Sequence, residues 1–176
     1  MKITILGIDI AKNVFQLHGT NKQGTPLLQK KLRRSELLTF IANLPLCLIA
    51  MEACATSNYW GRKFEALGHS VKLISPQYVK PFTQGQKNDR NDAQAIAEAA
   101  SRPTMRFVSI KTVEQQDIQN IHRIRQRLVT QRTALANQIR GLLAEYGISI
   151  SQGISHIRSR LLVILDSTHS FPKNKS

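Results

Sequence analysis

The sequence predicts an α/β domain followed by a long helical, coiled-coil-like arm. Three β-prone runs lie within the first 33 residues and are joined by short turns. A continuous apolar run, Leu46 to Met51, has strand length. The stretch from residue 112 to 146 contains no proline and repeats leucine or isoleucine every seven residues. Alternation and short turns mark antiparallel strands, an unbroken apolar run marks a strand covered on both faces, and a sustained heptad marks a long helix.

Along the chain, Ile3, Ile5, Ile8 and Ile10 with Gly7 form the first run, which delivers Asp9 near its end. Val14 to His18 is the second run, Asn21-Lys22-Gln23-Gly24 supplies turn chemistry, and Pro26 to Leu32 is the third, so a meander is expected. A helix starting at Ser35 carries Leu37, Leu38, Ile41 and Leu44 on one side and ends near Pro45. Leu46 to Met51 then delivers Glu52. Thr56 or Ser57 is the expected cap of a helix bearing Tyr59, Trp60, Phe64 and Leu67, with its stop at Gly68. That spacing reads Tyr59 and Trp60 as core, with base stacking as the weaker alternative. Val71 to Ile74 is a further strand, and Gln77 to Gln86 is a connecting loop or short helix.

The segment Lys87 to Ala100, KNDRNDAQAIAEAA, starts with helix-capping residues and continues in helix formers. Asp89 and Asp92 are three residues apart and share one helix face. Taken alone, acids in a first turn most often complement the helix dipole. Their weight rises because Asp9 and Glu52 are placed at strand ends. If those strands are parallel neighbours, their C-terminal ends form the usual ligand-binding edge of an α/β sheet, and four carboxylates converge. Such a cluster repels itself and calls for divalent cations. Donors that are all oxygen suit Mg²⁺ or Mn²⁺, and two such ions can clamp the attacking and leaving oxygens of a phosphodiester. Glu98 lies on another face of the helix and is left out of this set.

After Arg102-Pro103, the positions Ile121, Leu128, Leu135 and Leu142 define one seam of the arm, while Arg125 and Arg132 interrupt the alternate seam and leave it to a partner helix. Arg123, Arg125, Arg127 and Arg132 are candidate phosphate contacts, with a solvated helix face as the plain alternative. Lys12, Lys87 and Arg90 flank the acids and either contact nucleic acid or neutralise the cluster. Gly147 ends the arm, Ile154 to Leu165 forms one more helix, and Ser167 to Ser176 is expected to be disordered. The predicted division is 1–103, 104–147 and 148–176.

Charge narrows the function. Lys and Arg number 25 against 11 Asp and Glu, a net charge of +14, as expected of a protein that meets a polyanion. No apolar run approaches a membrane span, so a soluble, cytoplasmic protein without a membrane partner is expected. Cys47 and Cys54 lack metal-ligand spacing and read as packed thiols. The five histidines are scattered, which argues against a His-based metal site.

GIDIAKNVFQLHG, MEACATSNYWGR and KNDRNDAQAIAEAA, in that order, resemble the N-terminal half of the DEDD transposases of the bacterial insertion-sequence 110 family, to which the pilin-gene invertase Piv is also similar. The resemblance runs from about Met1 to about Gly147. It implies an RNase H-like, RuvC-type mixed sheet flanked by helices, with Asp9, Glu52, Asp89 and Asp92 in the catalytic, metal-binding D, E, D and D positions. It also implies DNA as substrate, a structured RNA from the element as partner, and a bacterial, nucleoid-associated setting. Full-length members continue into a domain carrying a serine nucleophile, which this sequence does not contain; none of Ser149, Ser151, Ser155 and Ser159 takes that role. The expected function is that of a DNA transposase or recombinase catalytic domain that forms homo-oligomers through its arm. The alternatives are a nucleic-acid-binding, dimerising fragment and a stand-alone Holliday-junction-type nuclease.

Overall fold

The structure is a computed structural model that describes residues 2–83 and 89–168, with Asp89, Arg90, Leu165, Ser167 and Thr168 described by their backbone alone. Lys87, Asn88 and the tail from His169 onward lie outside the described residues. The chain forms two compact units that divide at Glu114/Gln115.

The first unit is built on a six-stranded sheet of order β3-β2-β1-β4-β5-β6. Strands β1 (Ile5–Ile10), β2 (Val14–Thr20) and β3 (Pro26–Arg33) form the expected antiparallel meander. The β2–β3 turn is closed by the Asn21 side chain, whose Oδ1 accepts the N–H groups of Gln23 (3.0 Å) and Thr25 (2.9 Å), and Gly24 takes φ 81°. Helix α1 (Arg34–Ala42) returns the chain across the sheet, so β4 (Leu48–Glu52) lies parallel to β1. Helix α2 (Ser57–Ala66) makes the second crossover, to β5 (Ser70–Ile74), also parallel. Two residues of β6 (Phe107–Val108) pair antiparallel with β5; no alternation that short stands out in the sequence.

The two faces of the sheet bury different side chains. Leu6, Ile8, Phe15, Leu17, Ile49, Met51 and Leu73 pack with Leu37 and Ile41 of α1 and Trp60 and Phe64 of α2. On the other face, Ala50 and Ile74 pack with Val79 of the short helix α3 (Pro76–Val79) and with Ala95, Ile96 and Ala99 of α4 (Asp89–Ser101). The described part of the passage read as a loop or short helix is α3 followed by a 3-10 turn, Lys80–Phe82, and residues 84–86 lie outside the described residues.

Local chemistry sets the ends of these helices. The Glu36 carboxylate accepts the Arg33 N–H (2.7 Å) at the start of α1. At α2 the expected Thr56 side-chain cap is absent; Ser57 Oγ instead donates to the Cys54 carbonyl (2.9 Å) and accepts the Cys54 N–H (3.2 Å). Gly68, at φ 89°, ends α2 in a Schellman turn, with His69 N–H bonding Phe64 O at 3.2 Å. His69 is buried and satisfied: its Nε2–H donates to Ile41 O (3.2 Å) and its Nδ1 accepts the Cys47 N–H (3.4 Å). That imidazole ties the end of α1 to the start of β4.

The second unit consists of most of α5 (Val113–Ala144) and of α6 (Ile154–Thr168). Gly147, at φ 72°, closes α5 in a second Schellman turn, with Ile148 N–H on Leu143 O at 3.0 Å. Buried positions on these helices are Ala136 and Ile157. No helix among the described residues is long and apolar enough to cross a membrane.

Candidate metal centre

Two placements build the site. The first is the β1–β4 register, which pairs Gly7 with Ala50 and Ile8 with Met51. One further step sets Asp9 abreast of Glu52 at the C-terminal ends of parallel strands about 4.8 Å apart. Both carboxylates belong to the face that carries Gly7 and Ala50, the face covered by α4.

The second placement is α4 itself. A Cβ on Gly7 would fall against the Ala93 carbonyl oxygen and 2.7 Å from Ala97 N, so the helix backbone rests directly on β1. Small residues make this approach possible: Ala93 and Ala97 are buried beside the strand. The N-terminal turn of α4 consequently ends up beside the ends of β1 and β4. Asp9, Glu52 and Asp92 line one cleft of about 610 Å³, together with Pro76, Val79, Lys80 and Thr83.

Two carboxylates at the strand spacing repel by about 3 kcal/mol at an effective dielectric of 20. Asp9 and Glu52 each make a further polar contact. The α4 N-terminus points its positive end toward the acids, and Lys80 is a cation in the same wall. The donors in the cleft are carboxylate and hydroxyl oxygens without His or Cys, which fits a hard divalent cation rather than zinc. Among the described residues, no group of three His, Cys, Asp or Glu side chains is already arranged to hold an ion.

Other residues singled out from the sequence fall in different places. Lys12 is exposed on the β1–β2 turn and does not line the cleft; its carbonyl accepts a 3.4 Å bond from Arg34. Asp89 and Arg90 form the first residues of α4, and Lys87 lies outside the described residues. Arg123, Arg125, Arg127 and Arg132 are exposed along α5. Glu98 pairs with Arg102 at 2.7 Å, away from the cleft lining. Lys80 and Thr83 were not legible as site residues, because their segment has neither periodicity nor a motif. Tyr59 corrects the reading of the aromatic pair: Trp60 is core, whereas Tyr59 is 45% exposed. The angular step between adjacent helical residues turns the second ring off the buried face.

A mixed sheet flanked by helices gathers carboxylates where its parallel strands end beside a helix N-terminus, and a long helix follows in the chain. The sequence model of the insertion-sequence 110 DEDD transposases, described as transposase, matches residues 6–148, and the chain belongs to this family. It is 52% identical over 165 residues to the transposase for insertion sequence element IS1111A of Coxiella burnetii, covering 94% of this chain and 45% of that protein. It is 50% identical over 148 residues to a probable family 20 transposase of Pseudomonas aeruginosa, covering 84% of this chain and 44% of the other. For the transposase of element IS1328 from Yersinia enterocolitica, the identity is 44% over 170 residues, covering 97% and 50%. The chain thus spans about half the length of the curated relatives it matches. A Thermus thermophilus RuvC structure in complex with a Holliday junction substrate aligns with 60% of this chain and 99% of its own, at 15% identity and a TM-score of 0.41.

Proposed function

We propose that this chain carries the divalent-cation-dependent site of a DNA transposase, acting on DNA phosphodiesters. The observation that carries the reading is the convergence of Asp9, Glu52 and Asp92 on one cleft from two strand ends and a helix start. Family membership supports it. Asp9, Glu52 and Asp92, with Asp89 as the fourth acid, are the proposed ligands of Mg²⁺ or Mn²⁺, two ions in all. Bound there, such ions supply Lewis-acid stabilisation of the attacking and leaving oxygens of an in-line displacement. Lys80 stands in the cleft wall to hold a phosphate of the bound strand. Lys12, Lys87 and Arg90 are proposed to steer the DNA backbone toward it.

The arm has a proposed role of its own. Ile121 (65%), Leu128 (59%), Leu135 (57%) and Leu142 (59%) are exposed at heptad spacing, a seam that a second copy of the same helix would cover. Arg123, Arg125, Arg127 and Arg132 beside it suit the phosphates of DNA or of a structured RNA supplied by the element.

Calorimetric titration with Mg²⁺ and Mn²⁺ tests the central part. Binding is expected, and Asp92→Asn should weaken it roughly tenfold or more. Absence of binding, or binding indifferent to that substitution, contradicts the assignment.

A further inference from the structure

The mechanism above leaves unused a second cavity, of about 710 Å³, lined by Asn13, Arg33, Arg34, Leu38, Tyr59 and Trp60 among others. We propose that it receives an unpaired nucleotide of the DNA strand that passes through the acidic cleft. The inference rests on the phosphodiester reading of that cleft and adds a second binding site to it.

Four features point to this occupant. The cavity offers an exposed aromatic face, Tyr59, with its ring set edge-to-face on Trp60 at 5.2 Å, and beside it the half-exposed aliphatic Leu38. A base stacks on such a platform whatever its identity. Two guanidinium groups adjoin it. Arg34 lies over the Trp60 ring at 5.1 Å, and among the described residues neither Arg33 nor Arg34 is ion-paired. The nearby Glu36 carboxylate is engaged by the Arg33 backbone N–H. Planar cations over an aromatic wall suit the phosphates flanking a stacked base. Beneath that wall Trp60 is 4% exposed, and its buried indole N–H has no acceptor among the described residues.

Position supplies the fourth feature. The cavity opens on the α1–α2 face and the acidic cleft on the α4 face, yet both lie at the same end of the sheet. The β1–β2 turn connects the two, with its Asn13 carbonyl accepting the Arg34 N–H at 2.9 Å and exposed Lys12 at its tip. Asn13 follows Asp9 by four residues, a reach of no more than about 14 Å. A stacked B-form strand advances ~3.4 Å per nucleotide, so about four nucleotides cover that span, and fewer do once the strand is unstacked. A strand leaving the cleft would pass Lys12 and bring an unstacked base to Tyr59. Duplex DNA, with its bases stacked inside, could not fill this cavity.

Trp60 is the sole tryptophan, so its fluorescence reports on the cavity. The full chain, in buffer with chelator so that no cation is needed, is titrated with short oligothymidylate, a blunt duplex of equal length, or oligouridylate. Saturable quenching by oligothymidylate and none by the duplex is expected. Tyr59→Ala should weaken it roughly tenfold and Tyr59→Phe should leave it nearly unchanged. Arg33→Ala should lower the salt slope by about 0.7. No quenching by oligothymidylate, equal quenching by the duplex, tighter binding of oligouridylate, or indifference to Tyr59→Ala overturns the proposal. Failure of cation binding in calorimetry would instead contradict the cleft reading and leave this measurement standing.

Discussion

Gly7 is where a single missing side chain positions the site. Any Cβ there would collide with the Ala93 carbonyl and come within 2.9 Å of the Ala97 methyl, both on α4. Gly7→Ala should therefore lift α4 from β1 and destabilise the domain by about 1–3 kcal/mol, read as a lowered denaturant midpoint. It should also weaken cation binding, because Asp92 moves with the helix. The two thiols give a second residue-scale test. Cys47 is buried and Cys54 exposed, and burial pushes the Cys47 thiol above its ordinary pKa. An alkylating reagent should modify Cys54 quickly and Cys47 only after unfolding. The fold favours the neutral thiol, so this contribution to stability is complete below the unfolded thiol's pKa and is lost as pH rises toward the folded one. Cys47→Ala should flatten the alkaline decline in stability.

Elements with strong repeating patterns were legible, and those formed by a few long-range contacts were not. The meander, the strand character of β4, the stop at Gly68 and the long helix all follow from alternation, apolar runs, glycine and heptads, whereas the parallel pairing of β1 with β4 was only a condition. β6 is two residues long and exists because β5 offers an edge. Lys80 enters the cleft because α3 and the following turn pack beside α4, a tertiary fact without a local signature. Asp9 and Glu52 were legible because strand ends are; their register was conditional until the β1–β4 pairing was known. Tyr59 and Trp60 are consecutive in sequence and diverge in burial, which helical spacing alone did not separate. The α5 seam carries its own prediction. Leu128→Asp should leave the sheet domain folded and reduce self-association of the chain, observed by sedimentation. Unchanged association would show that this seam is not the interface.

At the scale of the molecule, charge and the placement of acid work together. A net charge of +14 suits a chain that meets a polyanion, while several of its 11 acids are concentrated where the sheet's parallel strands end. Nucleic-acid affinity should fall steeply with salt, with a slope set by the number of phosphates neutralised. Arg125→Ala with Arg132→Ala should lower that slope by about 1–2 without altering cation binding. This separation is expected because the proposed strand contacts and the proposed cation ligands are different residues.

The most direct measurement locates the cation on the chain. Fe²⁺ substituted for Mg²⁺, with ascorbate and peroxide, cuts a polypeptide backbone close to the bound ion. Cuts are predicted together near Asp9, near Glu52 and near the start of α4, and excess Mg²⁺ should suppress all three. Cuts scattered elsewhere, or cuts at these positions that Mg²⁺ leaves unchanged, would contradict a metal centre formed by the two strand ends and the helix.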